Sequence, residues 1–250
     1  MPQEKVLLVT GGSRGIGAAT CRLAAQAGWS VAVNYSAHAG AADEVVQAIR
    51  AEGGRALALQ ADVADEAQVM AMFERIDAEL GRLSGLVNNA GVVDRRARLD
   101  EMDMARWRRM FDINVLGSLL CAREAVRRMS PRHGGAGGSI VNLSSAAARL
   151  GAPADYVDYA ASKGAIDSLT LGLAKELAAE QIRVNAVRPG LIDTDIHASG
   201  GRPERLRELA PLVPMQRGGQ VNEVASLIVW LLSDAATYTT MSLIDVSGAR

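Results

Sequence analysis

The stretch Val6–Thr20, VLLVTGGSRGIGAAT, decides the fold. Val6 to Val9 form a short apolar run with strand character, and it stops at Thr10-Gly11-Gly12. From Gly15 the pattern turns helical, so Gly11, Gly15 and Gly17 fall on the turn and the helix start. Glycines let the backbone turn tightly and approach a pyrophosphate. The helix N-terminus then offers free N–H groups and a positive dipole end. A bare GxxxGxG string is weak evidence. A strand before it, a helix after it and a βαβ continuation make it a dinucleotide-binding turn rather than a merely structural one.

Outward from that turn, apolar runs begin at Lys5, Ser30, Arg55, Ser84, Ser139, Ile182 and Met241. Most are continuously apolar rather than alternating, which suits strands covered on both faces of a parallel sheet. Between them lie helix candidates at Gly15–Ala27, Gly40–Glu52, Glu66–Leu80, Trp107–Met129, Tyr156–Ala179 and Val221–Leu232. Strand–helix alternation throughout predicts an α/β fold, a Rossmann-type doubly wound sandwich with a seven-stranded parallel sheet. No linker, repeat or second core interrupts it, so residues 1–250 read as a single dinucleotide-binding domain that contains the active site. The segment Pro189–Pro214 is long and weakly patterned, as lids and binding loops are.

Composition narrows the function classes. The 250 residues are 49% hydrophobic and 22% charged, enough for one large core. No apolar run reaches the roughly eighteen residues of a membrane span, and the N-terminus has no signal-peptide plan. Cys21 and Cys121 sit in apolar contexts and read as buried free thiols, which places the chain in the reducing cytoplasm. A net charge of -1 gives no pull toward nucleic acid or anionic lipid. The arginine-rich stretch Arg95–Met110 is broken by Asp100, Glu101 and Asp103, and reads as a solvated or subunit-facing helix rather than a polyanion site. His38, His133 and His197 are scattered without ligand spacing, so no metal site is expected; His197 reads as an exposed residue of the lid.

Charge also bears on which dinucleotide binds. A carboxylate at the end of the second strand would hold the ribose diol of NAD and repel a 2′-phosphate. Here Asn34, Tyr35 and Ser36 occupy that place, and Arg14 in the glycine turn adds a guanidinium suited to phosphate. The pattern favours NADP over NAD.

The chemistry is sought in Tyr156–Lys163, YVDYAASK. Of 27 basic residues only Lys5, Lys163 and Lys175 are lysine, the one type of the two that can shift its pKa and join proton traffic. Tyr159 and Lys163 are one helical turn apart and share a face. A phenol with a pKa near about 10 is a poor catalyst at neutral pH, and a neighbouring ammonium would lower it. Tyr156 has Ala160 at the equivalent spacing, and reads as packing or pocket wall. Ser144 and Ser145 end a strand where such sheets place ligands, and they point to opposite sides.

The chain resembles the short-chain dehydrogenase/reductase family in its single-domain branch, and is similar to its 3-oxoacyl-carrier-protein-reductase-like and glucose-dehydrogenase-like members. The resemblance rests on Thr10–Gly17 (TGGSRGIG), Ala61–Val63 (ADV), Asn88–Gly91 (NNAG), Asp112–Val115 (DINV), Ser144-Ser145, Tyr159–Lys163 (YAASK) and Arg188–Gly190 (RPG), in order and nearly end to end. It implies reversible hydride transfer between NADP(H) and a carbonyl/alcohol pair of a small molecule, in a homotetramer. Tyr159 would be general acid/base, and Ser145, the second of its pair, would steady the substrate oxygen. Lys163 would bind the nicotinamide ribose, and Asn114 would hold a water in a proton relay. The resemblance also implies cofactor contacts from Gly11, Ser13, Arg14, Gly15, Ile16 and Gly17, from Asp62 and Val63 at the adenine, and from Asn89, Ala90 and Gly91 at the ribose. Pro189, Gly190, Ile192 and Thr194 would embrace the nicotinamide, joined by Tyr159 and Lys163. Without the family, Asp62 would read simply as a helix cap. Two departures stand out. The loop between serine and tyrosine is about one residue longer than usual, around Ala152–Asp155. Near the C-terminus, Met241 and Ala249 stand where the family has glycine. A catalytically weak sensor or scaffold on the same fold is the rival reading, and an epimerase of the longer branch is disfavoured by the glycine spacing.

Overall fold

The computed structural model describes residues 5–194, 200–202 and 204–250. Its first half runs β1 (Val6–Val9), α1 (Gly15–Gln26), β2 (Ser30–Tyr35), α2 (Ala39–Ala51), β3 (Ala56–Gln60), α3 (Glu66–Glu79), β4 (Gly85–Asn88), α4 (Met104–Phe111) and α5 (Gly117–Met129). The second runs β5 (Gly138–Leu143), α6 (Ala147–Leu150), α7 (Val157–Leu177), β6 (Ile182–Pro189), α8 (Arg205–Leu209), α9 (Val221–Leu232) and β7 (Leu243–Val246). The strands form one sheet in the order β3-β2-β1-β4-β5-β6-β7, parallel throughout. The seven-stranded doubly wound sheet expected from the sequence is the sheet observed.

β1 shows why the strands read as unbroken apolar runs. All four residues are buried, but Val6 and Leu8 join one core with α3 and α5, whereas Leu7 and Val9 join another with α1, α2 and α9. Each face of the sheet therefore has its own hydrophobic layer. The strand order reverses between β1 and β4. The crevice at that switch point lies beyond the C-terminal ends of the strands, where ligands bind in such sheets.

Two expectations need correction. The cap of α3 is Asp65, whose carboxylate accepts from the Gln68 N–H at 3.1 Å; Asp62 instead accepts from Ala64 N–H, one turn outside the helix. The helix expected at Trp107–Met129 begins earlier, at Met104, because the Asp103 side chain accepts from Arg106 N–H. A π-helical turn at Asp112–Leu116 then interrupts it. Periodicity gives no signal for one extra residue in a turn.

Met241 has φ 62° and Ala249 φ 70°, so both non-glycine substitutes keep the left-handed backbone that glycine would take freely. Met241 is held there by its N–H to Val184 O at 2.7 Å, while its side chain is largely exposed. Met241→Gly should therefore raise stability by about 1 kcal/mol, relief of left-handed strain exceeding glycine's extra unfolded freedom. The expected rise in Tm is roughly 2–4 °C in a thermal melt. A fall would mean that Met241 makes contacts worth more than the strain.

Candidate active site

The glycine turn is built by side chains that buckle it into place. Asn34, at the end of β2 and fully buried, accepts from Gly11 N–H at 3.1 Å and donates to Leu59 O and Ala61 O. Asn89, after β4, donates to Thr10 O at 2.8 Å and Gly11 O at 2.9 Å. The Thr10 hydroxyl accepts from the Asn89 and Ala90 N–H groups. The side-chain amides of Asn34 and Asn89 thus fasten the cradle. Gly17 is the tightest point: a Cβ there would lie 2.3 Å from Gly11 O. No side chain caps α1 and no acid sits in its first turn. Its N-terminal N–H groups and dipole are left for an anion.

A cleft of about 500 Å³ runs from this turn to the ends of β5 and β6. It touches every residue expected to meet the cofactor except Gly17, which is buried beneath the turn: Gly11, Ser13, Arg14, Gly15, Ile16, Asn34, Tyr35, Ser36, Asp62, Val63, Asn89, Ala90, Gly91, Tyr159, Lys163, Pro189, Gly190, Ile192 and Thr194. A bare glycine backbone, an uncapped helix start and an acid-free β2 end fit a dinucleotide phosphate.

At the far end of the cleft lie Ser145, Tyr159 and Lys163. α7 begins one residue after Tyr156, which places Tyr159 and Lys163 on one face, with Lys163 Nζ 5.6 Å from the Tyr159 ring centroid. Lys163 is buried, and its ammonium donates to Leu143 O at 2.7 Å. The two serines differ in kind. The buried Ser144 hydroxyl donates to Lys163 O, whereas Ser145 lines the cleft together with Tyr159. Asn114 stands in the π turn, fully buried. Its amide donates to Val92 O and Ser162 Oγ, and its oxygen accepts from Val92 N–H at 2.8 Å. A Cβ on Gly91 would lie 3.4 Å from Asn114 Oδ1 and 3.5 Å from Lys163 Nζ, so only a glycine backbone separates the two groups.

Electrostatics departs from the simple expectation. Burial pushes the Tyr159 phenol up, outweighing Ser145 and Arg205, which pull it down. Burial also lowers the Lys163 ammonium to about 8, with Asp167 one turn on opposing it. In the protein by itself, therefore, the phenol is not lowered: desolvation of a buried acid dominates.

A family model described as enoyl-(acyl carrier protein) reductase matches residues 11–248. The chain is 56% identical over 245 residues to an uncharacterized oxidoreductase, YgfF, of Escherichia coli K12, covering 98% of this chain and 99% of the relative. This chain belongs to the short-chain dehydrogenase/reductase family. It is 42% identical to cis-4-hydroxycyclohexanecarboxylate dehydrogenase of Sinomonas cyclohexanicum, over 98% of this chain and 96% of that one. A crystal structure of a dehydrogenase/reductase from Sinorhizobium meliloti superposes with TM-score 0.90 at 32% identity, covering 98% and 94% of the two chains. The short-chain dehydrogenase/reductase is thus an oxidoreductase, and its family implies an NAD(P) cofactor.

Several contacts of this short-chain dehydrogenase/reductase were invisible to motif reading. Asp158, inside the YVDY stretch, is buried and takes a two-pronged ion pair from Arg106 of α4 at 2.7 and 3.0 Å, locking α4 to the start of α7. Much of the arginine-rich stretch is thereby engaged internally; Arg98 pairs with Asp100 and Arg109 with Asp94. Tyr156 packs as expected but is not without a cation, since Arg205 of α8 stacks on its ring at 4.9 Å. The longer loop before α7 folds with Ala152 and Ala154 at positive φ and leaves the Tyr159–Lys163 spacing intact. His197 lies outside the described residues, as does part of the Pro189–Pro214 segment. Among the described residues no helix is long and apolar enough to cross a membrane. A separate hollow of about 680 Å³ beside β7 is lined by none of Ser145, Tyr159 or Lys163.

Proposed function

We propose that this enzyme interconverts a carbonyl and a secondary alcohol using NADP(H), with Tyr159 as general acid/base. The observation that carries the reading is one continuous cleft in which Ser145, Tyr159 and Lys163 meet the uncapped glycine turn. When bound, the nicotinamide supplies or accepts the hydride. Ser145 Oγ donates a hydrogen bond to the substrate oxygen and steadies charge developing there. In reduction the Tyr159 hydroxyl gives its proton to that oxygen, and in oxidation it takes the proton back. Lys163, with its ammonium anchored on Leu143 O, is set to hold a ribose and to resupply the phenol. Asn114, across Gly91, holds the region around Lys163 and supports the relay.

The preference for NADP follows from charge. Asn34 is turned inward, which leaves Tyr35, Ser36 and the exposed Arg14 at the mouth and no acid at the end of β2. Fluorescence titration should give a Kd for NADPH at least about tenfold below that for NADH, and Arg14→Ala should narrow the gap by weakening NADPH alone. Equal affinities would refute the preference.

The name of the Sinomonas relative makes cyclic hydroxy acids a first class of compounds to assay by NADPH absorbance. We further read the chain as a cytoplasmic homotetramer. Exposed Phe111, Leu116, Leu119 and Leu171 on α4, the π turn, α5 and α7 support an apolar subunit contact, and two buried free thiols suit a reducing compartment.

A further inference from the structure

Beyond the catalytic residues the cleft opens into a second pocket of about 380 Å³, bordered by Ser145 and Tyr159. Much of its wall is apolar, from Val93, Leu150, Pro153 and Leu191. Against that wall stands Arg205, whose side chain is only 14% exposed. One guanidinium nitrogen donates to Asp155 Oδ2 at 2.5 Å, and the group lies 4.9 Å from the Tyr156 ring centroid. The ring and Asp155 hold the guanidinium in place. Among the described residues, no acceptor meets its Nε and second NH2.

Asp155 does not neutralise this corner. Its Oδ1 is buried without a hydrogen bond and is approached by Arg202 at 3.7 Å and Arg96 at 3.8 Å. Three guanidinium groups thus approach this carboxylate, one of them, Arg202, also paired with Glu208. Pinning α8 to the loop before α7 needs one arginine–aspartate pair, yet three cations here face two acids, Asp155 and Glu208. A planar fork with donors that meet no acceptor among the described residues, desolvated and beside one more cation than acids, is the arrangement that binds a carboxylate in two-pronged fashion.

We propose that Arg205 recognises a carboxylate on the substrate, so that this enzyme acts on keto acids and hydroxy acids with an apolar body between the two groups. The proposal rests on the reading above for the carbonyl end only. With the carbonyl at Ser145 and Tyr159 and the acid at Arg205, the apolar wall covers the atoms between.

The test uses the full chain and matched probes that differ in charge alone. In the first arm, NADPH oxidation is followed with 4-oxopentanoate, 5-oxohexanoate and 6-oxoheptanoate, each beside its methyl ester. The best acid should exceed its ester by about 10- to 100-fold in kcat/KM, mostly through KM. Arg205→Met should collapse that ratio toward one, and Arg205→Lys, which keeps charge without the fork, should leave an intermediate ratio. Taking the ratio cancels any effect of Arg205 on the Tyr159 phenol. In the second arm, binding of cyclohexanecarboxylate and cyclohexanecarboxamide is measured by calorimetry, with no turnover involved. The wild type should bind the acid at least about tenfold more tightly than the amide. Equal binding of acid and amide, or a preference that survives Arg205→Met, overturns the proposal. Absence of turnover on every ketone with the acid-over-amide preference intact supports anion recognition and counts against the proposed carbonyl reading instead.

Discussion

Tyr159→Phe should lower kcat by about a thousandfold while leaving nucleotide binding measurable, since a positioned general acid contributes roughly 10²–10⁴. The substitution removes one oxygen and keeps the ring that packs beside Lys163, 5.6 Å from its ammonium. The informative control is Tyr156→Phe. Tyr156 lines the adjoining pocket, and its ring carries the stacked Arg205, so the stack survives loss of the hydroxyl. That variant should lose less than about tenfold, within the range of one neutral hydrogen bond. Steady-state NADPH kinetics on one good carbonyl substrate, with a parallel nucleotide titration, reads both outcomes. Equal losses from the two variants would show that neither phenol alone carries the proton. A Tyr159→Phe enzyme with near-normal turnover would end the acid/base assignment.

Desolvation in the cleft keeps the half-buried Tyr159 phenol above its ordinary value in the protein alone, so at neutral pH it is present as the acid. That is the form the proposed reduction would consume. The Lys163 ammonium, lowered to about 8, is the neighbour whose proton is most easily moved. The pair therefore suits proton delivery to a carbonyl without first requiring a phenolate.

The second large effect concerns the nucleotide end. Gly17→Ala would put a methyl 2.3 Å from Gly11 O and 2.6 Å from Asn89 Nδ2. Both atoms belong to the buckle, because Asn89 donates to Gly11 O. The carbonyl is backbone, so the strain cannot be relieved by swinging a side chain. Overpacking of this kind costs about 3 kcal/mol, lowering Tm by roughly 6–12 °C in a chain of this size. Opening the turn also misaligns the N–H groups that face the pyrophosphate, and NADPH affinity should fall at least about tenfold. Gly40→Ala is the contrasting variant. It sits in the first turn of α2 with nothing within 4 Å of the added methyl, and should be neutral or stabilising by up to about 1 kcal/mol. If Gly17→Ala melts with the wild type, the close approach is not a constraint.

Much of this protein is legible from local pattern. Seven apolar runs named seven strands, because a strand covered on both faces must be apolar at every position, as β1 is. The four-residue spacing of Tyr159 and Lys163 carried over directly, because helical geometry fixes which side chains share a face. Less was legible where one residue's role depends on a partner far along the chain. Strand alternation alone put Ser144 and Ser145 on opposite sides without saying which meets the ligand, and only the resemblance picked Ser145; the fold adds the physical difference, since the Ser144 hydroxyl is bound to Lys163 O and Ser145 lines the cleft.

What the sequence determined by itself is the order and type of the elements, the glycine turn and the tyrosine–lysine pair, all set by periodicities of two and about 3.6 residues. What only the tertiary structure decided is the environment of those groups. Asn34 and Asn89 became the fastenings of the turn, from 23 and 78 positions away from Gly11. Arg205 came to lie on Tyr156, and Asp158 to hold Arg106. The direction of the Tyr159 shift in the protein alone was decided in the same way, because burial there outweighs the neighbours that pull it down. Spacing along a helix fixes direction, but burial, charge balance and hydrogen-bond partners are sums over neighbours that the chain brings together only by folding.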